Sequence, residues 1–229
     1  MQMMNYEQAR FNMIEQQIRP WDVLDQAVLD TLQSLKRENF VPPLHRALAF
    51  SDTEIALTAG GVSKGEIMLA PKVEARILQE LAVTKADSVL EIGAGSGFMA
   101  ALLGKQANHV VSLEINPSLV SLAQANIAKA GLRNVDIRLG DGSRLFEQAA
   151  SESQTFDVIV LSGSIAVMDD SLLARLNPGG RLSAFVGKSP VMQAQLLRKA
   201  ADGSVTRAVL FETDIARLQG FAPVSSFVF

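Results

Sequence analysis

Two kinds of hydrophobic pattern divide the chain. In residues 5–18 and 24–35 apolar side chains recur at helical spacing, so each segment predicts an amphipathic helix. The apolar stripe of the second segment consists of Leu24, Val28, Leu32 and Leu35. Pro20 should end the first helix, because proline disfavours a helical conformation in the residue before it. Residues 44–70 show no clear periodicity, and Pro71 then opens a third helical segment, since proline suits the first position of a helix.

Beyond residue 87, strand patterns and helix patterns alternate regularly. The predicted strands are 88–92, 109–114, 135–139, 156–161, 181–186, 205–212 and 226–229. The predicted helices are 98–106, 117–131, 172–176 and 190–201. Consecutive apolar residues from 158 to 161 suit a parallel strand buried on both faces, whereas the short connection between the last two strands predicts an antiparallel pair. The predicted fold class is therefore α/β: a doubly wound, Rossmann-like sheet, mostly parallel with an antiparallel C-terminal strand, plus an N-terminal helical subdomain.

Composition excludes several classes of chemistry. The chain has no cysteine and only two histidines, so it excludes cysteine-ligated zinc, thiolate catalysis and a histidine-rich metal site, and we predict no bound metal. A net charge of −3 without a long basic run argues against a nucleic-acid or membrane-surface binder. The first residues lack the basic start and apolar core of a signal peptide, and no long apolar run follows, so we expect a cytoplasmic location.

A glycine-rich turn follows the predicted strand 88–92. Glycines at positions 93, 95 and 97 remove the Cβ atoms that would keep a ligand from the backbone, and free N–H groups at the start of a helix suit a carboxylate or phosphate. The dinucleotide-binding fingerprint needs its third glycine where Phe98 stands, because that glycine lets helix and strand pack closely. The turn instead resembles the glycine turn of class I S-adenosylmethionine-dependent methyltransferases, and this resemblance implies S-adenosylmethionine as the cofactor in place of a dinucleotide.

Acidic residues stand at or near the ends of three successive predicted strands. Glu91, just before the glycines, offers an acceptor for the amino group of the cofactor, directly or through water. Glu114 lies about 20 residues after the first glycine, where a carboxylate can accept both ribose hydroxyls. Asp141 can accept from the exocyclic amine of adenine, and Gly142 beside it leaves room for the ring. Each carboxylate taken singly also fits a helix cap or a solvated strand end, but ligands of such sheets bind where these strand ends meet.

The segment between the N-terminal helices and Pro71 has two interpretations. A long loop containing glycines is either a functional lid or a mobile surface loop, and the sequence leaves both open. Thr58 and Ser63 are its catalytic candidates, because the hydroxyl of either could position a substrate, and both also fit ordinary polar loop residues. We therefore predict two parts: residues 1–70, with the helices and a substrate-side loop, and residues 71–229, a methyltransferase domain that binds S-adenosylmethionine.

Several motifs resemble those of the protein-L-isoaspartate O-methyltransferase family. They are residues 36–42, 89–97, 140–142, 156–160 and 176–182. The resemblance implies S-adenosylmethionine as methyl donor, S-adenosylhomocysteine as product, and a carboxylate of a protein or peptide as acceptor. It also implies cofactor contacts from Glu91, Gly93, Ala94, Gly95, Gly97, Glu114, Ile115, Asp141, Gly142 and Ser162.

The chain departs from the family pattern on the acceptor side. Leu69 stands where the family carries a serine whose hydroxyl holds the isoaspartyl carboxylate, and leucine cannot donate a hydrogen bond. Residues 162–165 read Ser-Gly-Ser-Ile in place of the family's Thr-Ala-Ala-Pro. Two further functions therefore stay open: a small-molecule methyltransferase, and a catalytically silent protein that binds S-adenosylmethionine for regulation. Phe98 disfavours a dinucleotide-dependent oxidoreductase, and the sequence leaves the oligomeric state open.

Overall fold

A seven-stranded sheet forms the centre of the molecule, and the computed structural model describes residues 5–57, 65–144 and 154–221. The strands are β1 Ile55–Ala56, β2 Ile67–Met68, β3 Ser88–Ile92, β4 His109–Glu114, β5 Val135–Leu139, β6 Phe156–Ile165, β7 Leu176–Lys188, β8 Val191–Lys199 and β9 Val205–Thr213. The α-helices are α1 Tyr6–Met13, α2 Gln26–Ser34, α3 Pro71–Leu81, α4 Phe98–Gln106, α5 Pro117–Lys129 and α6 Asp170–Ala174.

The order of the strands places a ligand site beside β3. The order is β5-β4-β3-β6-β7-β8-β9, and the pair β1–β2 stands apart. The five neighbouring strands β5, β4, β3, β6 and β7 run parallel to one another. β8 runs antiparallel to both of its neighbours, β7 and β9. The chain moves outward from β3 in both directions, and open sheets of this kind bind ligands at the carboxyl ends of the strands where the order reverses. The predicted fold class is confirmed.

The N-terminal helices form as the sequence predicts, with one exception. The Asn5 side chain caps α1, and a π-helical turn at Ile14–Ile18 and a 3₁₀ turn containing Pro20 follow it. Asp25 caps α2, which buries Val28 and Leu32. Leu24 lies before that cap and is 66% exposed, so its place in the predicted apolar stripe is wrong. A residue that precedes the N-cap lies outside the helix and does not follow its periodicity.

The predicted helix at 190–201 is wrong, because this segment is strand β8. Ser189 and Pro190 form the tight connection between β7 and β8, whose register starts with Lys188 opposite Val191. Glutamine, alanine and leucine favour helices in isolation, but pairing with β7 and β9 on both sides overrides that preference. The predicted strand at 205–212 exists as β9. It pairs with β8, and its predicted partner at 226–229 lies outside the described residues.

One hydrophobic core joins the N-terminal helices to the sheet. Ile18 and Leu32 belong to the same buried cluster as Leu78 of α3 and Leu102 of α4. α4 is buried from Phe98 to Gly104, as expected for a helix covered by the sheet on one side and by other helices on the other. None of the helices in the described ranges has the length and apolarity that crossing a bilayer requires.

Candidate active site

The turn between β3 and α4 uses its glycines in backbone conformations that other residues rarely adopt. Gly93, Gly95 and Gly97 have φ angles of +94°, +53° and +83°. The amides of Gly93 and Ala94 both donate to the carbonyl oxygen of Leu113 on β4, at 2.8 and 3.1 Å. The turn is therefore fixed to the neighbouring strand before any ligand binds.

A cavity of about 140 Å³ lies beside this turn at the carboxyl ends of the parallel strands. Among the residues predicted from sequence, those that line it are Gly93, Gly95, Glu114, Ile115, Gly142 and Ser162. Gly97 and Asp141 do not line it, and Glu91 and Ala94 line a smaller space below the turn instead. The structure thus brings most of the predicted cofactor residues to one place.

Glu114 is held by two backbone amides. One carboxylate oxygen accepts from the amide of Gly95 at 2.8 Å, and the other accepts from the amide of Asn116 at 2.9 Å. Each oxygen of a carboxylate has two acceptor positions, so both keep one for a hydroxyl. Because Glu114 lines the cavity, its geometry suits two neighbouring hydroxyls such as those of a ribose.

The surroundings of Asp141 leave less access for a ligand than the sequence suggests. Its Oδ1 accepts from both the amide and the hydroxyl of Ser143, at 3.0 and 2.6 Å, and the Cα of Gly220 packs so closely that a side chain there would collide with it. The free position for an adenine amine is therefore on Oδ2, where Arg144 stands 3.7 Å away. Gly142 lines the cavity, and a Cβ there would overlap Ile92, so the backbone at this position packs directly on β3.

Glu91 is fully buried and hydrogen-bonded on both oxygens. The hydroxyl of Ser112 donates to Oε2 at 2.6 Å, and the hydroxyl of Ser162 donates to Oε1 at 2.7 Å. Burial raises the pKa of Glu91 to about 7, although these two hydrogen bonds lower it, and the charges of Glu74 and Glu114 raise it further. Ser162 therefore connects the main cavity to a carboxylate that changes its charge near neutral pH.

Residues of the C-terminal part form one wall of the cavity, and no sequence pattern predicts this. Residues 216–219 line the cavity. They are held by Ser164 at the end of β6, whose amide donates to the carbonyl of Ala216 at 2.8 Å and whose carbonyl accepts from Leu218 at 2.9 Å. Leu218 packs on the turn, where a Cβ added to Gly93 would lie 2.8 Å from it. No local pattern pairs residues 216–219 with a strand some 50 positions earlier.

The segment that leads into α3 lines another side of the cavity. Glu66 and Ile67 line the cavity, and Asn116 donates to Glu66 at 3.1 Å. Leu69 is buried, and its carbonyl oxygen accepts a 2.6 Å hydrogen bond from Arg37. The weak candidates Thr58 and Ser63 lie outside the described residues.

The fold is that of a class I methyltransferase. The solved structure of a protein-L-isoaspartate O-methyltransferase from Plasmodium falciparum, described as a complex with S-adenosyl-L-homocysteine, superimposes with a TM-score of 0.75 at 18% identity, over 95% of this chain and 99% of that one. That likeness establishes the fold.

Sequence comparison establishes the family. The profile of the family "Protein-L-isoaspartate(D-aspartate) O-methyltransferase (PCMT)" matches residues 8–217. A protein-L-isoaspartate O-methyltransferase from Koribacter versatilis is 30% identical over 93% of both chains, and one from Rhodopseudomonas palustris is 38% identical over 81% of this chain and 80% of that one. The chain belongs to the protein-L-isoaspartate(D-aspartate) O-methyltransferase family, as its motifs predict.

Proposed function

We propose that this protein transfers a methyl group from S-adenosylmethionine to the side-chain carboxylate of an isoaspartyl residue in a protein or peptide. One observation supports this above the others: in a chain of this family, the glycine turn and the ribose-type acceptor Glu114 line one cavity at the switch point of the sheet. The family match also favours this function over a small-molecule methyltransferase or a silent binding protein.

The residues present suit the cofactor. Glu114 has acceptor positions for both ribose hydroxyls. Gly142 has no side chain, and a Cβ there would collide with Ile92, so the cavity wall is flat at this position. Glu91, reached through Ser162, supplies negative charge for the amino group, while Gly93 brings backbone close to the methionine carboxylate. The remaining cofactor contacts predicted from sequence are Ala94, Gly95, Gly97, Ile115 and Asp141.

Methyl transfer requires little from the protein beyond positioning of the two reactants. S-adenosylmethionine supplies a methyl group already activated by a sulfonium, and the acceptor carboxylate already carries its charge, so no general base is required. The protein's part is to align the carboxylate with the methyl group and to keep water out. Ile67 and Leu218 form an apolar wall that keeps water out. The segment that carries Leu69 aligns the carboxylate.

Two measurements test this function. Calorimetry with S-adenosylhomocysteine should show a complex that weakens in Asp141→Ala, and no binding at all would reject every methyltransferase function. Methyl transfer from labelled S-adenosylmethionine should occur to an isoaspartyl peptide and not to the same peptide with a normal aspartyl residue. Binding without transfer to that peptide would leave the small-molecule enzyme and the regulatory protein, and a metabolite screen would separate those two.

Three further predictions belong to this proposal. The substrate-side role of residues 1–70 and the cofactor-binding role of residues 71–229 are supported by the position of Glu66 and Ile67 on the cavity wall. We also propose a cytoplasmic location, which cell fractionation tests. The net negative charge supports the absence of a nucleic-acid partner, which a filter-binding assay tests.

A further inference from the structure

A buried ion pair lies directly behind the cofactor site. Arg37 and Glu74 of α3 are 1% and 3% exposed, and Arg37 donates through Nη1 to Oε2 of Glu74. The same guanidinium donates through Nε to the carbonyl of Ala49 at 3.0 Å and through Nη2 to the carbonyl of Leu69 at 2.6 Å. Its flat face lies 4.6 Å from the ring centroid of Phe98, the first residue of α4. These contacts hold the guanidinium of Arg37 in one position, and Arg37 in turn holds the carboxylate of Glu74.

Glu74 shares a small cavity with Glu91. This space of about 20 Å³ lies under the glycine turn, and its lining includes both carboxylate residues, Ser162 and the turn residues from Gly93 to Ser96. A volume of about 10–15 Å³ is enough for one water-sized group. Carboxylates from two separate elements, α3 and β3, thus line one space that fits a single small polar group.

The two carboxylates that line this space and the guanidinium of Arg37 together leave an excess of one negative charge. At a pH where both carboxyl groups are ionised, Glu74 and Glu91 carry two negative charges against the single positive charge of Arg37. Glu114 is close enough for its negative charge to act on Glu91 as well, whereas Ser112 and Ser162 contribute only hydroxyls. A buried excess of negative charge is costly unless a cation or a proton compensates it. The site is therefore suited to a ligand that brings one positive charge.

We propose that Glu74 is a positioning residue for the cofactor, which together with Glu91 forms an anionic seat under the glycine turn for the amino group of the methionine moiety. This rests on the proposed function, because that function supplies the cofactor. The ammonium group balances the excess charge, and Arg37 keeps the carboxylate of Glu74 facing the seat. Because Arg37 also holds the carbonyl of Leu69, the seat and the acceptor-side segment are built on the same guanidinium.

The titration of the two carboxyl groups supports this assignment. Burial raises the pKa of Glu74 to about 7, although the charge and hydrogen bond of Arg37 lower it, and the pKa of Glu91 also lies at about 7. Without the cofactor, a proton can therefore supply the missing positive charge at neutral pH. Binding of an ammonium group should displace that proton, so the affinity for the amino-acid end of the cofactor should rise between about pH 6 and pH 8.

Two ligands separate this role from a purely structural one. S-adenosylhomocysteine contains the amino group, whereas 5′-methylthioadenosine has the same adenosine and sulfur and lacks the amino-acid end. In Glu74→Gln, calorimetry should show S-adenosylhomocysteine binding weakened about tenfold or more, as expected when a charge-assisted contact is lost, and 5′-methylthioadenosine binding changed by less than about twofold. Glu91→Gln should show the same selectivity.

The ion pair of Arg10 and Glu38 provides a matched control. It is another buried pair in the N-terminal part, with distances of 2.7 and 2.9 Å, and neither residue lines the two cavities beside the turn. Glu38→Gln should leave the affinities for both ligands unchanged. An equal loss of both ligands in Glu74→Gln, or an unchanged affinity for S-adenosylhomocysteine, would overturn the proposal.

The wild-type protein gives a second measurement that needs no variant. Calorimetry at about pH 7 in two buffers of different ionisation enthalpy should show proton release on binding S-adenosylhomocysteine and none on binding 5′-methylthioadenosine. Equal proton exchange with both ligands would overturn the proposal even if Glu74→Gln failed to fold. Selective proton release without methyl transfer to the isoaspartyl peptide would instead uphold the seat and reject only the proposed acceptor.

Discussion

Arg37 donates a 2.6 Å hydrogen bond to the backbone carbonyl oxygen of Leu69. The two residues are 32 positions apart, and the bond fixes the segment in front of α3 to the N-terminal helices. Leu69 is itself buried, so both its backbone and its side chain are held in place. Position 69, where the family resemblance implies that leucine replaces a serine, is therefore rigid in this protein, so a new side chain there should be held in a fixed orientation.

Leu69→Ser should raise methyl transfer to an isoaspartyl peptide. A serine would restore the hydroxyl that the family pattern has here, and donors of this kind contribute on the order of 10- to 1,000-fold to rate. We expect kcat/KM to increase about tenfold or more, with a loss of about 2–4 kcal/mol in the free energy of unfolding because a buried leucine is removed. Steady-state kinetics and urea unfolding measure the two effects.

The neighbouring residue provides the control for this change. Ala70 is also buried, and Ala70→Ser adds a hydroxyl one position further along without restoring the family pattern. It should leave kcat/KM for the isoaspartyl peptide unchanged. A gain in Ala70→Ser equal to that in Leu69→Ser, or no gain in Leu69→Ser, would contradict the role assigned to position 69.

Glu114→Gln should weaken binding of S-adenosylhomocysteine. Both oxygens of Glu114 accept from backbone amides, so the amide group of glutamine would place a donor against a donor on one side. We expect the dissociation constant measured by calorimetry to rise about tenfold or more, because a hydrogen bond to a charged group and the fixed geometry of the turn are both lost. Asp136→Asn, which removes an exposed ion pair with Arg138 away from the cavity, should leave it unchanged.

The sequence predicts the parts of this site that are local in the chain. Gly93, Glu114 and Gly142 each follow or end a strand whose apolar pattern is clear, and parallel strands bring their carboxyl ends to one edge. The family resemblance, which rests on the same local motifs, is confirmed for the same reason.

The parts that depend on distant pairing could not be predicted. Arg37 and Glu74 are charged residues on separate elements, and nothing in their neighbourhoods indicates that they meet in the interior. The same holds for Leu218, which reaches Gly93 only because Ser164 holds its segment. The sequence predicts a helix where β8 lies because Ser189 and Pro190 suit a helix start, whereas the strand form depends on partners on both sides.

Gly163→Ala should displace the C-terminal wall of the cavity. A Cβ at this position would lie 2.9 Å from the side chain of Leu218, closer than folded proteins show, and 3.1 Å from the carbonyl oxygen of Ala216, which is a tight contact. The segment should move away from β6, and the dissociation constant for S-adenosylhomocysteine should rise about threefold to tenfold as this wall is lost. The double variant Gly163→Ala/Leu218→Ala makes room for the new methyl group and should recover part of that affinity. Absence of any recovery would show that Leu218 is not the residue in conflict.

The protein without cofactor should become less stable as the pH rises through about 7. Burial raises the pKa of Glu91 to about 7, whereas its ordinary value is 4.5. Between these two values the folded protein binds more protons than the unfolded chain, so the free energy of unfolding falls with rising pH until Glu91 is ionised in both states. One pKa unit corresponds to about 1.4 kcal/mol, which limits the contribution of Glu91 to about 3 kcal/mol. Glu74, whose pKa burial also raises to about 7, adds to the decline. Urea unfolding at about pH 5 and about pH 8 measures it.

Two variants test whether Glu91 causes this dependence. Glu91→Gln carries no titrating group, so its free energy of unfolding should change less between about pH 5 and pH 8 than that of the wild type. Asp87 provides the opposite case: burial raises its pKa, but hydrogen bonds from Arg181 and Thr84 lower it more, so the net pKa lies below the ordinary value. A lowered carboxyl pKa contributes stability that is lost only as the pH falls through that value, outside this range. Asp87→Asn should therefore be less stable than the wild type at both pH values and keep the full decline, and a decline that persists unchanged in Glu91→Gln would assign it to another group.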